Sequence, residues 1–153
     1  MNPSVSLGEL HAAYKRTSSR IYRILEDGYD FAVDEAIIEA LDRDALIIDA
    51  AFFVLIFGQI ENRISEMAAG KMTTERQRRA LREQKFEKRM GLASPGTAYV
   101  AIREEIAGWY DLRSDAALGR HLARYNIAAA FDRAARLDTM SRDLSERHGV
   151  DSH

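Results

Sequence analysis

The sequence contains no cysteine, and it has only two prolines and one tryptophan among its 153 residues. Without cysteine the chain can form no disulfide, no thiol nucleophile and no cysteine-ligated zinc site. The absence of cysteine also fits a cytoplasmic location. Hydrophobic residues make up 46% of the chain and charged residues 30%. This composition is typical of a globular protein and excludes a disordered one.

Long apolar runs are also absent. The longest, AAFFVLIFG, extends from Ala50 to Gly58, whereas a membrane-spanning helix needs about 20 residues. The start of the chain, MNPSVSLGEL, has no basic region followed by an apolar run, so we expect no signal peptide. We therefore expect one domain covering residues 1–153, located in the cytoplasm and not associated with a membrane.

Apolar residues recur at helical spacing along most of the chain, and strand-like alternation is absent. SLGE at Ser6 to Glu9 and TERQ at Thr74 to Gln77 are capping boxes, which predict helix starts. The predicted helices cover about 7–25, 34–41, 44–69, 74–90, 95–118 and 122–147. Glycines 70 and 119 are placed to end helices. The sequence predicts an all-α fold, an antiparallel bundle of about five to six helices.

Charge is unevenly distributed, although the net charge is only −2. From Lys71 to Met90 there are eight basic and three acidic residues, and from Glu26 to Ala50 one basic and nine acidic. A basic segment can attract the phosphate backbone of a nucleic acid. The alternative is a solvated helix face that docks on the acidic segment.

Two charged residues fall on apolar helix faces. Glu61 lies near the centre of the apolar face of the helix predicted at 44–69, and Arg113 lies within that of the helix predicted at 95–118. An unpaired buried charge is costly, so we expect these two residues to pair. The pair can be structural, fixing helix register or forming a dimer contact, or it can belong to a functional site.

Arg113 begins the segment RSDAALG, which ends at Gly119. It resembles the motif of the HEPN family (higher eukaryotes and prokaryotes nucleotide-binding domains): arginine, a polar residue, three to five further residues and histidine, often followed by glycine. FFVLIFGQIENRI, beginning at Phe52, resembles the second long helix of that family. The resemblance covers roughly residues 46–137. It implies a small helical bundle, a homodimer and a metal-independent ribonuclease of the toxin–antitoxin or phage-defence kind.

The sequence departs from that motif at one position, because Leu118 stands where the family has histidine. The resemblance assigns charge stabilisation at phosphate to Arg113, with Ser114 and Asp115 nearby. RNA cleavage through the 2′-OH needs a base as well as a cation, and leucine supplies neither. We therefore expect weak catalysis or none.

His121 can replace the missing histidine only if the chain turns back at Gly119. In a continuous helix His121 would lie about 12 Å along the axis from Arg113. The neighbouring Arg120 can bind an anion or interact with carbonyl groups and solvent.

Other catalytic patterns are missing from the sequence. It has no HExxH or Glu-x-x-His metal motif, no glycine-rich phosphate loop and no nucleophile elbow. We expect no metal and no cofactor. Two hypotheses remain: an RNA-directed HEPN-like domain, with RNA or a cognate antitoxin as partner, and a non-catalytic helical interaction or dimerisation module.

Overall fold

The computed structural model describes residues 5–30, 34–93, 97–119 and 125–150 of the chain. Six helices are present in this part, and no strand occurs there, which confirms the predicted all-α class. None of these helices is long and apolar enough to cross a membrane. The helices are α1 (Leu7–Asp30), α2 (Glu35–Ala69), α3 (Glu75–Arg82), α4 (Phe86–Ala93), α5 (Thr97–Ala117) and α6 (Ile127–Val150).

The chain divides into two compact units. Unit 1 comprises Met1–Ile56 and Leu112–Phe131, and unit 2 comprises Phe57–Asp111 and Asp132–His153. Helices α2, α5 and α6 each contribute residues to both units.

The core of unit 1 is built from aromatic contacts. Phe53 of α2 stacks on Tyr125, with ring centroids 4.7 Å apart. His11 of α1 lies 4.5 Å from the ring of Phe131. These rings fix α1, α2 and the start of α6 against one another, because large aromatic side chains bury more apolar surface than other residues.

Unit 1 also holds Asp49, a charged residue that is buried. The hydroxyl of Tyr14 on α1 donates a hydrogen bond to Asp49 Oδ1 at 2.9 Å. A carboxylate in an apolar environment is stabilised only when donors surround it. This contact therefore ties α1 to α2.

Unit 2 has the larger apolar core. Its fully buried side chains include Phe57, Ile60 and Ile64 of α2 and Tyr99 and Ile106 of α5. The apolar face predicted for residues 44–69 is the buried face of α2, as expected from its spacing.

Tyr99 also makes a buried polar contact in unit 2. Its hydroxyl donates a hydrogen bond of 2.6 Å to the carbonyl of Met90 at the end of α4. Burial raises the pKa of Tyr99 to about 12, because the low-dielectric surroundings disfavour the phenolate.

Both predicted capping boxes are present. The backbone N–H of Ser6 donates to Glu9 Oε2 at 2.8 Å, and the N–H of Glu9 donates to the Ser6 hydroxyl at 3.2 Å. Thr74 and Gln77 make the same reciprocal pair at the start of α3. These contacts satisfy backbone donors that the first helical turn leaves free.

The two predicted glycine terminators are also confirmed. Helix α2 ends at Ala69, and the N–H of Gly70 donates to the carbonyl of Glu66. Gly119 follows α5 with a φ of 64°, a left-handed conformation that glycine adopts without a steric penalty.

Three predicted helix boundaries are wrong. The predicted helices 34–41 and 44–69 are one continuous helix, α2, since neither proline nor glycine occurs at the junction between them. The predicted helix 74–90 is divided into α3 and α4 at residues 83–85. A continuous last helix from Leu122 is excluded, because Tyr125 and Asn126 are not helical and α6 begins at Ile127.

Candidate nucleic-acid interface

The basic segment predicted from the sequence forms the outer side of α3 and α4 in unit 2. Helix α3 begins at its capping box and turns Leu81 inward, where the side chain is buried. Arg76 and Arg79 are exposed on α3, three residues apart and therefore neighbours on its surface. Lys85 and Lys88 are exposed at the start of α4. We call these four residues the basic surface.

The ion pairs of α3 separate its cations into two groups. Glu75 forms an ion pair with Arg78 at 3.7 Å and accepts a hydrogen bond from Arg82 at 3.3 Å. None of the four basic-surface residues forms an ion pair within the part of the chain that the structure describes. The acidic side chains Glu83 and Glu87 are exposed on the same segment. The basic surface thus carries positive charge that faces solvent.

An aromatic stack lies beside the basic surface. Phe86, the first residue of α4, packs edge-on against Phe57, with centroids 5.6 Å apart. Its other neighbour is Tyr110 of α5, which stacks on Phe86 at 5.0 Å with an interplanar angle of 14°. Phe86 is buried, whereas Tyr110 is 36% exposed. The stack therefore runs from the core of unit 2 to its surface.

Arg89 of α4 is held next to this stack. Its Nη1 donates to the Ser65 hydroxyl at 2.9 Å, and its guanidinium carbon lies 5.9 Å from the centroid of the Phe86 ring. The Nε atom is buried and, within the described residues, has no hydrogen-bond partner. A guanidinium that is held in place by two contacts is suited to binding an anionic group.

A cavity of about 650 Å³ opens at this place in unit 2. Its walls include Gln84, Lys85, Phe86, Arg89, Tyr110 and Asp111. The volume falls within the range of small-molecule sites, which is roughly 300–1,000 Å³. Cationic, aromatic and amide groups thus meet around one opening.

The residues that the family resemblance singles out lie in unit 1. Arg113, Ser114 and Asp115 occupy the last turns of α5, and all three are half-buried. Leu118, the substitution in the motif, is 61% exposed. Burial raises the pKa of Tyr125, and the nearby carboxylate of Asp115 adds to this effect.

Glu61 is half-buried on α2 and belongs to unit 2, whereas Arg113 belongs to unit 1. Their predicted pairing stays a prediction. His121 and Arg120 fall outside the described residues, so their proposed roles also stay predictions.

Sequence reasoning missed the most accessible aromatic side chain of this site. Phe86 is buried, but Tyr110 is partly exposed. The one available indication was the position of Phe86 within the basic segment, since basic residues interleaved with aromatic ones are typical of nucleic-acid surfaces. Arg89 was counted only as one charge among eight.

The described part of the chain contains no group of side chains that is arranged as a set of metal ligands. No three histidine, aspartate or glutamate side chains come together there in a way that could hold an ion. The acceptors nearest the basic surface are single exposed carboxylates.

Comparison of the chain with protein-family models, with curated proteins and with solved structures gave no match.

Proposed function

We propose that this protein is an RNA-binding helical domain of the HEPN type, with little or no nuclease activity. The observation that carries the proposal is the basic surface of Arg76, Arg79, Lys85 and Lys88. Its four cations face solvent without an ion-pair partner among the described residues, and one of them, Lys85, lines the same cavity as the exposed ring of Tyr110. Phosphate backbones bind to such surfaces because the cations of the protein release the counterions that are condensed on the nucleic acid.

The pairing pattern on α3 favours this interpretation over a merely solvated face. Arginines that stabilise the helix are recognisable, because Arg78 and Arg82 both reach Glu75. Arg76 and Arg79 lie on the same two turns and make no such pair. Like charges three residues apart destabilise a helix slightly, so an anionic partner would relieve that repulsion.

An exposed aromatic ring points to single-stranded RNA. Bases of a duplex are stacked on each other, whereas unpaired bases can stack on protein side chains. Tyr110 offers such a ring, and Phe86 supports it from behind. A positively charged surface beside a stacking platform is the usual composition of single-strand binding sites.

The family resemblance adds Arg113 as a further phosphate contact, with Ser114 and Asp115 beside it. It also adds a homodimer and a role in a toxin–antitoxin or phage-defence system, in which a protein antitoxin would be the other partner. Cleavage would require His121 to supply the proton transfer that Leu118 cannot. We therefore propose binding as the principal activity.

The test is binding of a single-stranded RNA of about 20 nucleotides, measured by fluorescence anisotropy in the presence of EDTA. The double variant R76Q/R79Q is compared with R136Q/R142Q. The control removes the same charge from α6, where Arg136 and Arg142 are exposed but paired with Asp132 and Asp138. We expect roughly tenfold weaker binding for R76Q/R79Q and an almost unchanged affinity for the control.

Equal losses in both double variants would show a general charge effect and contradict the proposed surface. The same samples, analysed by gel electrophoresis, report cleavage. Cleavage that is lost in both Arg113→Ala and His121→Ala would show that His121 acts in proton transfer. Neither cleavage nor binding by the wild type would favour the interaction-module hypothesis.

A further inference from the structure

The cavity beside α4 has the chemistry of a nucleotide site, and its residues differ from those of the family motif. Two cations, Lys85 and Arg89, line it together with the stacked ring of Tyr110. Asp111 and Glu87 add two carboxylates, and Gln84 adds an amide. A phosphate, an aromatic base and a hydrogen-bonding base edge would each meet a suitable group there.

The stack provides a surface for a flat ligand. Phe86 covers one side of Tyr110 at 5.0 Å and is itself fixed against Phe57, so the tyrosine ring cannot collapse inward. Stacking of one base on such a ring contributes enough to change affinity about tenfold or more. A fixed ring also loses little conformational entropy when the ligand binds.

Arg89 supplies the charge at a defined position. The hydrogen bond to Ser65 and the contact with Phe86 hold its guanidinium at the wall of the cavity. Lys85 is exposed at the same opening. The two cations are suited to the phosphate of a nucleotide whose base lies on Tyr110.

The acidic residue favours some bases over others. A carboxylate accepts hydrogen bonds but donates none, so Asp111 suits a base with an exocyclic amino group. Adenine, guanine and cytosine carry such a group, and uracil does not.

We propose that the cavity lined by Lys85, Arg89, Tyr110 and Asp111 binds one unpaired nucleotide of an RNA strand, with its base stacked on Tyr110. This inference rests on the proposed RNA binding, because the basic surface would hold the flanking phosphates. A free mononucleotide has the same chemistry, so the experiment must distinguish it from a nucleotide within an RNA strand.

The experiment uses three probes: an RNA with 2-aminopurine at its centre, the same strand with an abasic site there, and adenosine monophosphate. Tyr110→Leu removes the stacking ring, and Tyr110→Phe keeps it. Tyr22→Leu is the matched control, since Tyr22 on α1 is 39% exposed and Tyr110 is 36% exposed. Lys85→Gln changes an exposed charge and does not disturb the core.

We expect quenching of 2-aminopurine by the wild type, Tyr110→Phe and Tyr22→Leu, but not by Tyr110→Leu. Tyr110→Leu should bind the base-containing strand about tenfold more weakly and the abasic strand unchanged. Lys85→Gln should weaken both strands severalfold. If circular dichroism shows that Tyr110→Leu is unfolded, two other measurements test the proposal. They are the quenching of 2-aminopurine by Tyr110→Phe and the preference of the wild type for the base-containing strand over the abasic strand.

RNA binding without quenching, and with equal affinity for the abasic strand, would overturn the pocket and leave the proposed function intact. Binding of adenosine monophosphate without binding of RNA would overturn the proposed function. It would also show that the ligand of the cavity is a free nucleotide and not part of an RNA strand. No binding of any probe would overturn both.

Discussion

Replacing Arg76 and Arg79 by glutamine changes the salt dependence of RNA binding by an amount that follows from the structure. Both side chains are exposed, and neither has an ion-pair partner among the described residues. Their removal should therefore cost little stability, because no buried contact is lost. What changes is the number of counterions that RNA releases when it binds.

The magnitude follows from the four cations of the basic surface. Each contact with a phosphate of single-stranded RNA contributes about −0.7 to the slope of log affinity against log salt concentration. Four contacts give a slope of about −2.8, and the double variant should show about −1.4. Raising the salt from about 50 to about 200 mM then weakens the wild type about fiftyfold and the variant about sevenfold.

The assay is fluorescence anisotropy at four or more salt concentrations, with thermal unfolding as a check on the fold. R136Q/R142Q is the control, since it removes two exposed cations that form ion pairs with Asp132 and Asp138. Its slope should match that of the wild type. An unchanged slope for R76Q/R79Q would refute the assignment of these two arginines to phosphate contacts.

Three further predictions concern stability. Tyr14→Phe removes the hydrogen bond to buried Asp49 and should lower the free energy of unfolding by about 1.5 kcal/mol, measured by urea denaturation. The contribution of Tyr99, whose pKa is raised to about 12, is fully present below pH 10. It should decrease by roughly 2 kcal/mol as the pH rises from about 10 to 12, since the unfolded chain ionises first. If Glu61 and Arg113 form a buried pair, Arg113→Ala should lower the free energy of unfolding by about 3 kcal/mol, and the double variant with Glu61→Gln should recover part of this loss.

Each of these predictions has its own control. Tyr22→Phe on exposed α1 surface should leave the unfolding free energy unchanged, and an equal loss there would contradict the role given to Asp49. Tyr99→Phe should remove one tyrosine from the late phase of the absorbance titration at 295 nm. A wild type in which all tyrosines titrate near pH 10 would contradict the burial argument. Additive effects of the two substitutions at Glu61 and Arg113 would refute their pairing.

The sequence predicted features that depend on a few neighbouring residues. The capping boxes at Ser6 and Thr74 were recognisable because donor and acceptor lie three residues apart. Gly119 was recognisable as a terminator because only a residue without Cβ readily takes a positive φ. The all-α class followed from the periodic spacing of apolar residues.

Helix boundaries that depend on packing were not recognisable. In one continuous helix Leu81 and Phe86 would point about 140° apart, since each residue turns by about 100°. Both are buried, and the break at residues 83–85 allows both to face the core of unit 2. No proline or glycine marks this break, because burial of the two side chains is what favours it.

Some features of the candidate site could also be predicted from the sequence, and others could not. The sequence by itself determined the charge of the basic surface and the amphipathic pattern of α3, since both are fixed by composition and local spacing. Only the tertiary structure decided that Tyr110 stacks on Phe86 and that Arg89 donates a hydrogen bond to Ser65. Those partners lie 24 residues apart in the chain, so their contact depends on how whole helices pack and not on any local pattern.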